Sequence, residues 1–173
     1  MPITRLNHAV LYVRDVEVSK NFYIDALGFS TLTFVAGRMA FLRAGASTND
    51  HDLGLFQIGS DAAPSGAGQG SVGLYHLAWE VDTLAELKRI QAHLASIGSL
   101  VGASDHSTTK ALYAKDPDGI EFEVCWLVPA SELNADLVKA SKRAVLPLDV
   151  DAEIARYGAD TRGGVGVSVP AGV

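Results

Sequence analysis

The sequence contains a single cysteine, Cys125, so no disulfide can form within the chain. Its 14 lysines and arginines are outnumbered by 20 aspartates and glutamates, which gives a formal net charge of −6. Because nucleic-acid binding requires a basic surface, this balance argues against such a partner. No run of about 18 apolar residues is present, and residues 1–8 lack an apolar signal core. We therefore expect a soluble, acidic, cytoplasmic protein with no membrane partner.

Two segments of the chain follow nearly the same order of residue types. Of all residues, 48% are apolar, which is enough to build a core. Residues 6–28 and 74–98 each begin with alternating residues around a histidine, pass an aspartate, continue as a helical apolar stripe and end at a glycine. Three short apolar runs follow each copy, typical of strands. The pattern predicts an α+β fold built from two βαβββ modules.

The predicted helices have recognisable ends. Asp15 and Asp82 stand where helix N-caps belong, and Gly28 and Gly98 stand where a left-handed residue ends a helix. The predicted apolar stripes are Val18, Phe22, Ile24 and Leu27 in the first helix, and Leu84, Leu87, Ile90, Leu94 and Ile97 in the second. The predicted strands are 29–36, 39–44, 52–58, 99–104, 110–115 and 120–128. Two further helices are predicted at 131–145, with Ser131 as N-cap, and at 151–157.

A stretch rich in glycine, serine and alanine, 59–73, separates the two copies and is typical of a flexible linker. It lacks the glycine spacing of a phosphate-binding loop. We predict a single domain over 1–128, in which modules of about 3–59 and 71–128 are joined by this linker. Residues 129–173 form a partly helical C-terminal tail.

Two histidines, His8 and His76, occupy equivalent positions in the duplicated plan. A carboxylate on the closing strand would complete a set of two imidazoles and one carboxylate, which suits a divalent first-row metal and leaves coordination positions open. Glu121 and Glu123 are both candidates, because residues two apart in a strand point to the same face. A pocket that binds a small molecule without metal is the alternative.

Residues 113–123 read Tyr-Ala-Lys-Asp-Pro-Asp-Gly-Ile-Glu-Phe-Glu, and their Asp-Pro-Asp-Gly segment is suited to a tight turn. Together with the two βαβββ modules, each beginning on a strand with a histidine, this segment resembles the vicinal-oxygen-chelate superfamily. That superfamily includes glyoxalase I, extradiol ring-cleaving dioxygenases and bleomycin-resistance proteins. The resemblance covers residues 3–128 and implies that the modules form a half-barrel cavity. It also implies that Glu123, seven residues after Asp116, binds the metal with His8 and His76.

The number of ligands separates the branches of this superfamily. Glyoxalase-type lyases and isomerases take a fourth ligand from the last strand of the first module, which here reads His-Asp-Leu-Gly-Leu-Phe-Gln over 51–57. No glutamate is present, and Gly54 or an adjacent leucine occupies the plausible position. Asp52 is the only carboxylate there, and Gln57 is a remote alternative. A set of three ligands matches the extradiol dioxygenases.

The resemblance to extradiol dioxygenases also implies three catalytic residues. Tyr113 stands ten residues before the glutamate ligand, His51 begins a His-x-Leu-x-Leu strand, and His106 lies in the loop before the tyrosine strand. His51 would be the acid–base catalyst, since the pKa of histidine lies near operating pH. Tyr113 would hydrogen-bond a substrate oxygen or assist proton transfer, and His106 would orient the ring.

The expected function is therefore that of a metal-dependent extradiol dioxygenase. It would use Fe(II), with Mn(II) or another divalent metal as the alternative, and would cleave a small aromatic diol of the catechol type with O₂. The product would be a ring-opened semialdehyde. A homodimer or higher homo-oligomer is expected from the resemblance. Two other functions stay open: a glyoxalase-type metal-dependent lyase or isomerase, and a metal-free binding or resistance protein.

Overall fold

The computed structural model describes residues 2–3, 5–143, 145–164 and 167–168. Strands and helices follow the order β, α, β, β, β twice, and a tail comes after them. This order confirms the α+β class and the two βαβββ modules. The chain divides into two compact units, Met1–Gly66 with Asp116–Ile120, and Ala67–Lys115 with Glu121–Val173. The parts of the predicted tail that lie outside the described residues are 144, 165–166 and 169–173.

The first unit contains a four-stranded sheet and one helix. The strand order is β1-β4-β3-β2, and β1 pairs with β4 in parallel while the other neighbours are antiparallel. The elements are β1 (Ala9–Val13), α1 (Val16–Leu27), β2 (Ser30–Val35), β3 (Met39–Arg43) and β4 (Leu53–Gln57). In each of the three strands after the helix, both ends lie within one residue of the predicted bounds.

Helix α1 begins and ends as predicted, but its buried face differs from the prediction. The Asp15 carboxylate accepts from the backbone N–H groups of the first turn, and Gly28 ends the helix with φ 70°. The predicted stripe is wrong: the buried residues are Val16, Ser19, Tyr23 and Ala26. Val18 is 52% exposed. Tyr23 is buried on this face, and its hydroxyl has a polar partner.

That partner is Asp116, in the Asp-Pro-Asp-Gly turn that belongs to the first unit. The Tyr23 hydroxyl donates to Asp116 Oδ2 at 3.1 Å, and Asp116 Oδ1 accepts from the backbone N–H groups of Asp118 and Ile120. Arg14 Nη1 lies 2.9 Å from Asp118 Oδ1. Gly119 has φ 81°, which a side chain would strain. A turn predicted from local sequence is thus also held by α1 and by the residue that follows β1.

The second unit contains a five-stranded sheet and three helices among its described residues. The strand order is β5-β8-β7-β6-β9, and β5 pairs with β8 in parallel. The elements are β5 (Leu77–Glu80), α2 (Leu84–Ser96), β6 (Leu100–Asp105), β7 (Thr109–Lys115), β8 (Glu121–Leu127), α3 (Ala135–Ser141), β9 (Leu146–Pro147) and α4 (Val150–Tyr157). Strands β6, β7 and β8 again end within one residue of their predicted bounds.

Helix α2 confirms its predicted core but not its predicted cap. Its buried residues are Leu84, Leu87, Ile90 and Leu94, whereas the last predicted member, Ile97, is 44% exposed. The N-cap is Thr83, whose hydroxyl accepts from the Glu86 N–H, so the assignment of Asp82 is wrong. The Asp82 carboxylate lies 3.4 Å from Arg162 Nη2, and its backbone carbonyl accepts from Gly163.

The predicted helix at 131–145 is shorter than expected and has a different cap. A 3-10 turn over Ala130–Glu132 comes first, and the Asn134 side chain then caps α3 by accepting from Leu137. Ser131 is therefore not the N-cap. The helix predicted at 151–157 is α4, which begins one residue earlier because Asp149 caps it. No helix in the described ranges is long and apolar enough to cross a membrane.

Replacing a buried carboxyl by an amide, Asp116→Asn, tests the cost of burying that charge. Burial raises the pKa of Asp116 in the folded protein, so the wild type loses stability as the pH rises through that pKa. The amide does not ionise. The unfolding free energy of the variant minus that of the wild type should therefore increase from about pH 3 to about pH 7.

Urea unfolding at several pH values measures this difference. Asp61→Asn, at an exposed position, is the control for removing one negative charge. A difference for Asp116→Asn that is independent of pH would contradict the assigned cost.

Candidate metal-binding site

Alternation along β8 places three polar side chains on one face of the second sheet. Phe122, Val124 and Trp126 are buried on the face that carries the helices, so Glu121, Glu123 and Cys125 point to the opposite face. Tyr113 on β7 pairs directly with Glu123. The tyrosine and the glutamate are therefore neighbours on that face.

His76 stands immediately before β5 and reaches Glu123. In the parallel pair, Ala78 lies opposite Glu123, and His76, two residues earlier, points the same way as Ala78. The His76 Nε2 atom lies 3.2 Å from Glu123 Oε2, and both side chains are largely buried. The His76 Nδ1 atom is buried and has no hydrogen-bond partner among the described residues. The imidazole is thus held in place through its contact with Glu123.

Tyr113 and His106 form a second polar contact beside this pair. The Tyr113 hydroxyl lies 2.9 Å from His106 Nε2, and the Tyr113 and His76 ring centroids are 5.9 Å apart. Burial, together with the negative charge of Glu123, raises the pKa of Tyr113 to about 12. The phenol is therefore protonated at neutral pH. It can donate to Nε2 of a neutral His106 whose own proton is on Nδ1.

Cys125 lies two residues beyond Glu123 on the same strand face. Burial raises the pKa of its thiol to about 12, with further contributions from the charges of Glu123 and Glu80 and from a hydrogen bond to Glu123. The sulfur therefore stays protonated and donates to the glutamate. A protonated, buried thiol is a poor nucleophile and a poor metal ligand.

His8 and His51 lie together in the first unit. Their ring centroids are 4.3 Å apart, and the ring centroid of Phe41, on β3, lies 4.9 Å from that of His51. His51 Nδ1 lies 3.1 Å from Asp50 Oδ2, and His8 Nδ1 lies 2.8 Å from Asn7 Oδ1. Each imidazole thus has a polar partner at Nδ1, which leaves its Nε2 for another ligand.

Strand register identifies the position in the first module that corresponds to Glu123. Val10, two residues after His8, pairs with Gly54, just as Ala78, two residues after His76, pairs with Glu123. Gly54 is therefore the counterpart of the glutamate and has no side chain to offer. A Cβ atom on Gly54 would lie 3.2 Å from the Phe41 ring, so a side chain at this position would require the ring to shift by a few tenths of an ångström.

The two other candidates for a fourth ligand have structural roles instead. The Asp52 carboxylate is buried and accepts from Ala44 N–H, Ser47 Oγ and Asn49 Nδ2. Gln57 Oε1 accepts from the Val16 N–H at the start of α1, at 3.1 Å. Neither side chain is free to bind a metal without breaking these hydrogen bonds.

The six predicted site residues thus fall into two groups, one in each unit. The structure brings His8 together with His51, and it brings His76, Glu123, Tyr113 and His106 together. Glu121 is not the carboxylate that contacts His76. Across the described part of the chain, no three His, Cys, Asp or Glu side chains form a metal-binding group.

Comparison with known proteins identifies the family. The model of the Glyoxalase/Bleomycin resistance protein/Dioxygenase superfamily matches residues 5–124. The chain belongs to this superfamily. A solved structure, the glyoxylase/bleomycin resistance protein/dioxygenase domain from Frankia sp. EAN1pec, shares its fold with a TM-score of 0.58 and 20% identity, covering 73% of this chain and 100% of that chain.

Two relatives of this chain are named after different activities. The Catechol-2,3-dioxygenase of Bacillus subtilis (strain 168) is 33% identical over 134 residues, which are 77% of this chain and 45% of that protein. This chain therefore spans less than half the length of that relative. The Lactoylglutathione lyase of Escherichia coli O157:H7 is 28% identical over 127 residues, which are 69% of this chain and 90% of that protein. Membership in the superfamily alone does not choose between these activities.

A double-mutant cycle measures the contact between His106 and Tyr113. The variants are Tyr113→Phe, His106→Gln and their combination, and urea unfolding gives the free energy of each. Because one hydrogen bond contributes about 0.5–1.5 kcal/mol net, we expect a coupling free energy of that size. The exposed Tyr75 provides the control cycle, Tyr75→Phe with His106→Gln, which should show no coupling. Zero coupling between His106 and Tyr113 would mean that the two rings do not bond.

Proposed function

We propose that this protein is a metal-dependent extradiol dioxygenase that cleaves a catechol-type aromatic diol with O₂. The observation that carries the proposal is the pair formed by His76 and Glu123, with Tyr113 directly beside it and a glycine at the corresponding position of the first module. The name of the Bacillus subtilis relative supports the same activity.

His8, His76 and Glu123 are the proposed metal ligands, and Fe(II) is the proposed metal, with Mn(II) as the alternative. Two donor atoms at adjacent positions about 2.1 Å from a metal would stand about 3 Å apart. The observed separation of 3.2 Å between His76 Nε2 and Glu123 Oε2 fits such a pair. When bound, a metal with open positions would hold the two diol oxygens and O₂ in contact. His8 is proposed as the third ligand because it is the counterpart of His76.

Tyr113 and His106 would act on the substrate from beside the metal. Tyr113 keeps its proton at neutral pH, and its hydroxyl can donate that one proton either to a substrate oxygen or to His106 Nε2. His106 would orient the substrate ring, and when the hydroxyl donates to Nε2, that nitrogen can accept the proton if Tyr113 releases it. Tyr113 and His106 are thus proposed to transfer protons as a hydrogen-bonded pair.

His51 is the proposed acid–base catalyst. Asp50 contacts its Nδ1 atom at 3.1 Å, so Nε2 is the nitrogen that can exchange a proton with the substrate. Phe41 packs against the ring and would restrict its rotation. Support for this role comes from the partners of His51 and from the family resemblance of the strand that it precedes.

The lyase alternative requires a fourth ligand, and three observations in the first unit disfavour it. The position of the ligand is Gly54, the Phe41 ring crowds the space beside it, and Asp52 and Gln57 are engaged elsewhere. The half-barrel cavity, the domain and linker boundaries, the cytoplasmic location and the homodimer or higher homo-oligomer stay predictions that accompany the proposed activity.

Single substitutions test the metal ligands. Removing a ligand should weaken Fe(II) binding by more than about a hundredfold, because loss of a second-sphere partner alone costs up to that much. We expect this loss for His8→Ala, His76→Ala and Glu123→Ala. Anaerobic loading followed by metal analysis measures it. Glu121→Ala and His93→Ala are matched controls that should retain iron, and iron loss in Glu121→Ala but not in Glu123→Ala would overturn the assignment.

Oxygen uptake tests the reaction itself. The Fe(II)-loaded protein should consume O₂ in equimolar amount with a catechol and yield a ring-opened product that contains both atoms of isotopically labelled O₂. Mass spectrometry identifies this product. Iron binding without oxygen uptake on a panel of catechols would refute the dioxygenase and leave the metal site standing. In that case, formation of lactoylglutathione would point to the lyase.

A further inference from the structure

A lysine is completely buried behind the candidate site, on the opposite face of β7. Lys110 is 0% exposed, and its position three residues before Tyr113 places it on the face that carries the helices. Its Nζ atom donates to Asp105 Oδ1 at 2.6 Å and lies 2.9 Å from Glu153 Oε2, an ion pair without the geometry of a hydrogen bond. A lysine is almost never fully buried unless it is paired. Here two carboxylates from different elements compensate one ammonium.

The first carboxylate, Asp105, also holds the turn that carries His106. Its Oδ1 accepts from the Ser107 N–H at 2.7 Å. Ser107 has φ 68° and is the only non-glycine residue with positive φ in the described ranges. Such a conformation is costly and persists only where its surroundings impose it. The turn closes when His106 N–H donates to the Thr109 carbonyl at 2.9 Å.

The second carboxylate, Glu153, comes from the tail. Helix α4 brings Glu153 to Lys110, and Tyr157 on the same helix lies under the ammonium, with its ring centroid 5.9 Å from Nζ. The Tyr157 ring also packs against Trp126 of β8, with centroids 5.4 Å apart. The tail helix therefore completes the neutralisation of a charge that lies inside the sheet of the second unit.

These contacts form one continuous path from the tail to the candidate site. We propose that Lys110, Asp105 and Glu153 are positioning residues for His106. Glu153 fixes Lys110, Lys110 fixes Asp105, and Asp105 holds the strained Ser107 turn that keeps His106 Nε2 against the Tyr113 hydroxyl. The positioning is a property of the folded chain, and only its consequence for catalysis rests on the proposed function.

The test compares Glu153→Gln and Lys110→Met with Asp151→Asn. Asp151 lies on the same helix, is exposed and pairs with Lys88, so its replacement removes a carboxylate of α4 without touching the buried lysine. NMR of the full chain reports the imidazole nitrogens of His106, assigned by their loss in His106→Gln, and the exchange rate of the Ser107 amide. Neither readout requires turnover, so the result is independent of whether the dioxygenase assignment is right.

In Glu153→Gln and Lys110→Met, the Ser107 amide should exchange at least about tenfold faster than in the wild type. The His106 nitrogens should move to the shifts seen in Tyr113→Phe, where the bond to Tyr113 is absent. Asp151→Asn should leave both readouts unchanged. If Lys110→Met does not fold, the isosteric Glu153→Gln decides alone. Wild-type His106 shifts and Ser107 exchange in a folded Glu153→Gln, or equal changes in Asp151→Asn, would overturn the proposal.

Discussion

In both modules the first strand pairs in parallel with the last strand, although a helix and two strands separate them along the chain. This pairing sets the residue two positions after a histidine opposite a defined position on the last strand. In the second module that position is Glu123, and in the first it is Gly54. The contact between His76 and Glu123, the absence of a side chain at the corresponding position Gly54, and the difference between the two modules all depend on this register.

Side chains alternate between the two faces of the second sheet, so that one face carries polar groups and the other packs against the helices. On one face Tyr113, Glu123 and Cys125 present polar atoms, and burial together with the charge of Glu123 raises the pKa of Tyr113 and of Cys125. On the other face Lys110, Phe122 and Trp126 meet the helices. The first sheet repeats the geometry with apolar residues: Phe41 pairs with Gly54 where Tyr113 pairs with Glu123. The second module therefore has a tyrosine and a glutamate at the positions where the first module has a phenylalanine and a glycine.

Features that depend on local sequence could be predicted, and those that depend on distant contacts could not. The strands after each helix, the Asp15 cap and the Gly28 end follow from neighbouring residues. The buried face of α1 was not predicted, and it includes Tyr23, whose hydroxyl contacts Asp116 far away in the chain. Thr83 and Asp82 are both residue types that cap helices, so composition alone could not show which of them is the N-cap of α2. The roles of Phe41, Lys110 and Glu153 left no signal in the sequence, since each arises from pairing across the fold.

The packing of Phe41 over Gly54 has a consequence for how this protein can change over generations. The first side-chain atom of a residue introduced at position 54 would lie 3.2 Å from the nearest carbon of the aromatic ring, so the ring would have to move by a few tenths of an ångström. Shrinking the ring would remove its packing against His51. A side chain at position 54 and the packing of His51 are therefore linked through Phe41. We expect substitutions at positions 41 and 54 to be non-additive for this reason.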